Sequence, residues 1–364
     1  MKTLKVNTPS KSYLIYFSSN TFNSMDELLK IVKKIPSGNV LLLTDKKIFS
    51  FYSGIVKDFC SKLDAKYIIL PVGEKQKSLK TANKIYTFLL ENNYHRNTIL
   101  IAFGGGVIGD LTGFIASTYM RGVRFIQVPT TLLAQVDSSV GGKVAVNHPL
   151  CKNSIGAFYQ PEFVYINLNV LNTLSKKDYL SGLGEVIKYG LIKNRDFFFF
   201  LKENKQEILN RNISLLEKIT YISCKIKSEI VSKDEKEKGL RTILNLGHTL
   251  GHAIESASKF KIMHGKSISI GTVFATYLSK NMGILKEDFV NLLYKMYKSY
   301  GIIKKIPYFD EDLLISLMLK DKKNFSEGIT FVLPVKIGEV IVQKNISPQI
   351  IRENLVKFYR EFLK

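Results

Sequence analysis

The stretch "LNLGHTLGHAIE", Leu244 to Glu255, holds two histidines four residues apart, His248 and His252, in what reads as a helix. Four residues is slightly more than one helical turn, so both imidazoles leave the same face. His264 follows in "KIMHGKSISIG", which places three of the protein's five histidines within 17 residues. Just upstream stand Arg241 and Asn245, and the spacings of 4, 3 and 4 from Arg241 through His252 predict one polar helical stripe. Flanked by Leu244, Leu246 and Leu250, a stripe that polar is not a core face. Elsewhere "GLGEVIKYGLI" sets Glu185 and Lys188 three apart among Leu183, Ile187 and Leu191. On a surface that ion pair is worth only about 0.2–0.5 kcal/mol. The apolar neighbours instead predict a charge near a buried face, where a carboxylate requires a cation or a metal. Two neutral imidazoles and a carboxylate make a zinc set with room for substrate. Spacing alone favours His248 with His252 and leaves open which two of the three histidines bind.

A second constellation is glycine-rich. "FGGGVIGD", residues 103–110, matches G-x-G-x-x-G through Gly104, Gly106 and Gly109, after a predicted strand and before an apolar helical run. Glycines there let the backbone approach a pyrophosphate, whose charge then faces helix N-terminal amides. The plainer alternative is a tight strand-to-helix turn. The acid that reads a ribose should follow about 20 residues later, but the next strand ends in Thr130 and Thr131; the suitable acid is Asp45, closing the earlier run "NVLLLTD". The polar, glycine-rich segment "AQVDSSVGGKVAVN" reads as a loop carrying Asp137 and Lys143, and "CKNSIGAF" adds Lys152 and Asn153. Together these residues predict a lined anion site.

The elements that must hold these residues change character along the chain. In the first half, short apolar runs ("NVLLLTD", "KYIILPV", "TILIAF", "VRFIQVPTT") alternate with helical stretches, one of them opened by a capping box of Ser24 and Glu27. Such alternation predicts a mainly parallel sheet with helices on both faces. After about residue 175 long helical periodicities follow one another, with late strands at "ITFVLPV" and "EVIVQ" and a closing helix capped by Ser347 and Pro348. "FFFFL", Phe197 to Leu201, reads as a core helix face. The expected organisation is an α/β nucleotide-binding domain over 1–175 and a mainly α-helical metal- and substrate-binding domain over 176–364, with a cleft between them. No apolar run is long enough to span a membrane and the N-terminus lacks a signal-peptide pattern, so a cytoplasmic setting is expected. Cys60, Cys151 and Cys224 are too scattered for a disulfide framework or a thiolate zinc site. The net charge of +22 comes from lysines spread over helix surfaces, without a basic stripe carrying interleaved aromatics, so nucleic acid is not an expected partner.

In their combination these motifs resemble the sugar-phosphate cyclase family of 3-dehydroquinate synthases. The residues that carry the resemblance are "GGGVIGDLTGF", "RGVRFIQVPTTLLAQVDSSVGGKVAVN", "KNSIGAFYQP", "GLGEVIKYGLI", "DEKEKGLRTILNLGHTLGHAIE" and "HGKSISIG", in the family's order. The resemblance implies a dehydroquinate-synthase-like fold and an enzyme dependent on NAD and on Zn2+ or Co2+. Its implied substrate is a small sugar phosphate, 3-deoxy-D-arabino-heptulosonate 7-phosphate. It implies Glu185, His248 and His264 as metal ligands, and not His252. For NAD it implies Asp45, Glu74, Lys77, the run Gly105, Gly106, Val107, Ile108, Gly109 and Asp110, then Thr130, Thr131, Lys143, Lys152 and Thr173. For catalysis it implies Asp137, Lys143, Lys188, Lys227, Arg241, Asn245 and His252, and for substrate binding Arg121, Asn153 and one of Lys322 and Lys323. A homodimer is implied as well.

The implied chemistry is transient oxidation of a ring hydroxyl, phosphate elimination, re-reduction and intramolecular aldol closure, with no net redox change. An anionic substrate accounts for the convergent lysines and arginines, since arginine clamps a carboxylate bidentately. Sibling cyclases that make aminocyclitol or valiolone precursors act on substrates without a carboxylate, which Arg241 argues against. A metal-dependent polyol dehydrogenase would accumulate NADH, and a basic nucleic-acid module would leave the glycine and histidine motifs unexplained. The chain departs from the family's usual residues at Cys151, Asn167, Ser175 and Lys266. None of these is an implied ligand, although Lys266 adds positive charge beside His264.

Overall fold

The computed structural model describes residues 1–36, 38–320 and 328–363. Lys322 and Lys323 lie outside the described residues. The chain forms two compact units, one of residues 1–175 with 213–236, the other of 176–212 with 237–364.

The first unit contains strands β1 (Lys2–Asn7), β2 (Ser12–Ser18), β3 (Val40–Asp45), β4 (Lys66–Leu70), β5 (Ile99–Gly104), β6 (Arg124–Pro129), β7 (Lys143–His148), β8 (Cys151–Phe158) and β9 (Phe163–Asn167). Its helices are α1 (Asp26–Val32), α2 (Lys46–Lys62), α3 (Leu79–Glu91) and α4 (Gly106–Thr118). Seven strands make one sheet in the order β1-β2-β9-β6-β5-β3-β4, parallel except for the β1–β2 hairpin at its edge. The central strands are continuous apolar runs because each faces a core on both sides. Alternation splits their side chains: Val40, Leu42, Ile99, Ile101 and Phe103 enter one core, while Leu41, Leu43, Leu100 and Ala102 enter the other.

Chain order along the sheet reverses at β3: β4 is added on one side of it and β5 on the other. That topological switch point is where open α/β sheets bind ligands, beyond the carboxyl ends of the strands. The register puts Leu43 opposite Ala102 and Gly104 opposite Pro129. Asp45, Gly105 and Thr130 therefore emerge at the same sheet edge.

Three details differ from what the residue pattern predicts. The capping box does not form: Met25 occupies the cap position of α1, and the Glu27 carboxylate accepts instead from Asn20 and the Tyr165 hydroxyl. The segment predicted as a loop around Lys143 is β7 of a hairpin with β8, closed by Pro149 and Leu150. Val144 and Val146 join the core beneath α3 and α4, and that burial makes a strand of a glycine-rich segment. Finally α8 (Ile213–Lys233), which the 176 boundary assigns to the second domain, belongs to the first unit. It packs on β1 and on the Ala134–Ser138 turn, and Glu235 just beyond it ties that return in place. The Glu235 carboxylate accepts from Thr8, Ser10 and Gln160.

The second unit comprises α5 (Lys176–Lys193), α6 (Arg195–Glu203), α7 (Lys205–Leu209), α9 (His248–Ala257), α10 (His264–Asn281), α11 (Val290–Ser299), α12 (Glu311–Leu319), the antiparallel pair β10 (Ile329–Lys336) and β11 (Glu339–Ile346), and α13 (Pro348–Phe362). Phe197, Phe198 and Leu201 of α6 are buried, as a core face requires. Ser347 caps α13 by accepting from the Ile350 amide. Helix α10 is buried on all sides, and α5 and α9 approach it through glycines. A Cβ at Gly184 would stand 2.8 Å from the Gly265 carbonyl oxygen, and one at Gly271 would stand 2.9 Å from the Gly251 amide. The crossing helices consequently bring their backbones almost into contact. Glu185 follows Gly184, His264 precedes Gly265, and His248 follows a further contact glycine, Gly247, where a Cβ would stand 2.5 Å from the Ile268 carbonyl oxygen of α10.

Candidate functional site

In the second unit, α5, α9 and α10 each contribute one side chain to a single cluster. Glu185 is fully buried and receives the Lys188 ammonium, whose third-residue spacing on α5 brings it back onto the same carboxylate. Lys188 is itself buried and also donates to the Leu244 carbonyl at 2.8 Å. The Nε2 atoms of His264 and His248 lie 3.6 and 4.0 Å from Glu185 Oε1. His248 Nδ1 contacts the Leu246 carbonyl at 3.2 Å, and His264 Nδ1 contacts Glu255 Oε1 at 3.3 Å. A carbonyl and a carboxylate only accept, so in both rings Nδ1 carries the hydrogen. In a neutral ring, and in any ring that binds a metal, the lone pair is then on Nε2, the nitrogen that faces Glu185.

Burial, reinforced by Lys188 and the neighbouring imidazoles, holds His248 well below its ordinary pKa, so its ring is neutral at pH 7. Burial acts on His264 in the same sense, but hydrogen bonds to Glu185 and Glu255 outweigh it and raise the ring to about 10, so an ion binding at Nε2 displaces a proton from it. Glu185, His248 and His264 offer one donor atom each within 4.8 Å of one another, a carboxylate and two imidazoles that suit Zn2+ or Co2+. The donor atoms of a second group, His252 with Glu255 and His264, also lie within 4.8 Å of one another. His252 is exposed, with its ring centroid 5.2 Å from that of His248.

The continuous stripe predicted from Arg241 to His252 is broken. Leu240–Asn245 is a 3-10 turn, Gly247 takes a left-handed φ of 79°, and α9 starts only at His248. A Cβ at Gly247 would lie 2.8 Å from the Thr272 amide, so the close approach to α10 forces glycine there and interrupts the helix that the spacing predicts. Arg241 is buried, and the Asn245 amide donates to Glu237 Oε1 at 2.6 Å. Lys266 is half-buried, and burial with Lys304 nearby lowers its pKa.

In the first unit, Gly105 caps α4, and Gly106 to Asp110 form its first turns at the switch-point edge. A Cβ at Gly109 would stand 2.7 Å from Gln127 Oε1, so this glycine is needed for helix-to-strand packing. Asp45 is committed to capping α2, its carboxylate accepting from the Lys47 and Ile48 amides at 2.8 and 3.0 Å. Thr130 is buried and donates its amide to the Gly104 carbonyl, Thr131 Oγ1 accepts from the Ala134 amide, and the Thr173 and Tyr52 hydroxyls are 2.9 Å apart.

The buried Lys77 ammonium joins Asp110 at 2.5 Å and also Asn153, while Glu74 accepts from Asn147 on β7. Four expected contacts thus stand in one network that pins the β7–β8 hairpin over the sheet edge. Lys143 and Lys152 are exposed on that hairpin. Asp137 accepts from the Lys227 ammonium at 2.5 Å, the pairing by which α8 reaches the Ala134–Ser138 turn. Arg121 is not brought to this edge. It follows the far end of α4, about 18 Å from its first turn, in a bend where Met120 and Arg121 both have positive φ.

Two relevant residues escape the spacing argument. Glu255 lies three positions after His252 on α9, and Glu237 precedes the turn that bears Asn245. The first has a usable signal, an acid one turn beyond HxxxH; the second sits in a charged run with nothing to mark it.

The family model described as 3-dehydroquinate synthase N-terminal matches residues 67–181, and the one described as 3-dehydroquinate synthase C-terminal matches 182–324. The chain belongs to the 3-dehydroquinate synthase family. A 3-dehydroquinate synthase of Thermoanaerobacter sp. (strain X514) is 41% identical over 94% of this chain and 96% of its own. That of Shewanella pealeana is 41% identical over 97% and 98%. Among solved structures, 2-deoxy-scyllo-inosose synthase complexed with carbaglucose-6-phosphate, NAD+ and Co2+ superposes with a TM-score of 0.87 at 25% identity, covering all of both chains. The 2-epi-5-epi-valiolone synthase of Streptomyces hygroscopicus subsp. jinggangensis 5008, with NAD+ and Zn2+ bound, has the same fold, with a TM-score of 0.85 at 20% identity over 96% and 98%. The family's two-part architecture, a parallel-sheet α/β region followed by a helical one, is the architecture of this chain. Among the described residues no helix is long and apolar enough to cross a membrane.

Proposed function

We propose that this chain is a carbon–oxygen lyase converting 3-deoxy-D-arabino-heptulosonate 7-phosphate to 3-dehydroquinate and phosphate, with NAD+ and Zn2+ or Co2+ as resident cofactors. The observation that carries the reading is the buried Glu185 carboxylate faced by the Nε2 atoms of His248 and His264, in a chain of this family. When bound, NAD+ takes and returns a hydride while the divalent ion polarises the neighbouring substrate oxygens.

Glu185, His248 and His264 hold the ion. Lys188 balances the carboxylate it touches and keeps a proton donor beside the reacting oxygens. Arg241 is assigned to the substrate carboxylate and Asn245 to a hydroxyl, and Asp137, Lys143, Lys227 and Asn153 of the first unit are assigned to the substrate as well. His252, next to the ligands but exposed, moves a proton at its ring nitrogen. The first turns of α4, with Asp45, Glu74, Lys77, Thr130, Thr131, Lys152 and Thr173, hold the dinucleotide. The substrate phosphate is assigned to Lys322 or Lys323; the resemblance adds Arg121, which this chain carries at the far end of α4 from the dinucleotide edge. The same reading carries a homodimer and a cytoplasmic setting.

The test supplies purified protein with the heptulosonate phosphate, Co2+ or Zn2+ and a catalytic amount of NAD+. Phosphate is expected to appear in excess over NAD+ without net NADH. No phosphate release under those conditions, or stoichiometric NADH, refutes the proposal. Turnover of a carboxylate-free sugar phosphate alone would favour the sibling cyclases.

A further inference from the structure

The histidine ligands differ in what fixes their rings. His248 Nδ1 is held by a backbone carbonyl two residues earlier, a partner no side-chain substitution removes. His264 is the first residue of α10, and its side chain is about a third exposed, so the helix alone leaves its ring poorly restrained. Its Nδ1 is met only 3.3 Å away by Glu255 Oε1, from the last turns of α9. A neutral imidazole has one lone pair. With Nδ1–H donated to Glu255, that pair is on Nε2, which faces Glu185 Oε1.

We propose that Glu255 is a positioning residue that selects the tautomer and rotamer of His264, and that it is not itself a metal ligand. Helix α9 then serves the centre twice, through His248 as a ligand and through Glu255 as the orienter of a ligand on α10. The competing arrangement is the group of His252, Glu255 and His264, in which Glu255 would bind the ion directly. It leaves the fully buried Glu185 out of the coordination, whereas the first group places that carboxylate opposite both Nε2 atoms. The proposal rests on the metal-centre reading of the preceding section.

The test measures Co2+ and Zn2+ affinity of the full-length protein by chelator competition, together with the visible absorption of the Co2+ form. Variants are Glu255→Ala, Glu255→Gln and, as the benchmark for losing a ligand, His264→Ala. Removal of an outer partner of a ligating histidine typically weakens binding about 10- to 100-fold. Glu255→Ala is expected in that range, with the Co2+ bands of the saturated protein unmoved, and Glu255→Gln, which keeps an acceptor, with a smaller loss. The melting temperature of each metal-free variant should match that of the parent, which separates positioning from folding. Unchanged affinity in Glu255→Ala overturns the proposal, as does a loss equal to that of His264→Ala with shifted bands. If His264→Ala itself retains Co2+ at full strength, the metal-centre reading fails instead.

Discussion

Gly265→Ala probes how the fold sets the spacing of the ligands. Gly265 follows His264 at the start of α10 and lies against α5 at Ser181, four residues before Glu185. A Cβ there would stand 2.5 Å from Ser181 Cα and 2.6 Å from its carbonyl carbon, both backbone atoms with no rotamer in which to retreat. Ordinary contact begins at about 3.5 Å, so the two helices must part by about 1 Å. The separation of 3.6 Å between His264 Nε2 and Glu185 Oε1 would grow to about 4.6 Å. Two metal–ligand bonds of about 2.1 Å set at a tetrahedral angle put their donors about 3.4 Å apart, and even end to end they span only about 4.2 Å. One ligand is therefore lost unless the helices are pulled back together. Overpacking of this kind costs about 1–3 kcal/mol of stability. Co2+ affinity should fall by more than about 100-fold, the upper end of what loss of an outer-shell partner costs. Chelator competition on the purified variant, with a thermal melt of its metal-free form, measures both quantities. Co2+ affinity within a few-fold of the parent would refute the claim that this glycine crossing fixes the centre.

Other substitutions separate stability from chemistry. His252→Ala should retain bound Co2+ and lose about 100-fold or more in kcat, as expected for a proton-transfer group, which steady-state rates and metal analysis together check. Glu237→Ala removes the acceptor that orients the Asn245 amide and should lower kcat/KM about tenfold, one hydrogen bond's worth, without loss of metal. Glu235 is pulled up by burial, but its hydrogen bonds from Ser10, Gln160 and Thr8 outweigh this and lower its pKa below 4.5. A carboxylate depressed in the folded state stabilises above its unfolded pKa and ceases to do so as pH falls through the folded value. Glu235→Gln should therefore flatten the acid limb of the stability curve below about pH 4.5, measured by urea melts across pH. Gly54 lies inside α2 with nothing within 4 Å of a Cβ, so Gly54→Ala should stabilise the protein by about 0.4–1 kcal/mol in the same assay.

What the residues reveal in advance depends on how far away their partners are. The buried strands β3, β5 and β6 are legible because a sheet covered on both faces requires uninterrupted apolar runs, and α13 because Ser347 and Pro348 settle its start locally. The order of strand, glycines and helix over 99–118 is local too. The misreadings involve distant partners. Ser24 and Glu27 have the spacing of a capping box, yet Tyr165, 138 residues away, takes the Glu27 carboxylate. The β7–β8 hairpin is hidden by its glycines until the core beneath α3 and α4 supplies a place for Val144 and Val146. The return of α8 to the first unit depends on Lys227 finding Asp137 and Glu235 finding Ser10, pairings that no local periodicity encodes.

The two histidines of "LGHTLGH" show the same limit at the scale of one site. Helical spacing puts both imidazoles on one face, and the structure keeps them there, with centroids 5.2 Å apart. Whether a ring ligates is decided by what meets its two nitrogens. For His248 the Leu246 carbonyl takes Nδ1 and Glu185 stands opposite Nε2. His264, on another helix and without a helpful spacing, satisfies the same two conditions through Glu255 and Glu185. His252 shares the face but is exposed and falls in the other group, with Glu255 and His264, so on the proposed reading neighbouring position and coordinating role part company. A polar stripe on a helix thus fixes which side chains can meet a common centre, while the carboxylates and carbonyls on the elements around it determine the work each one does.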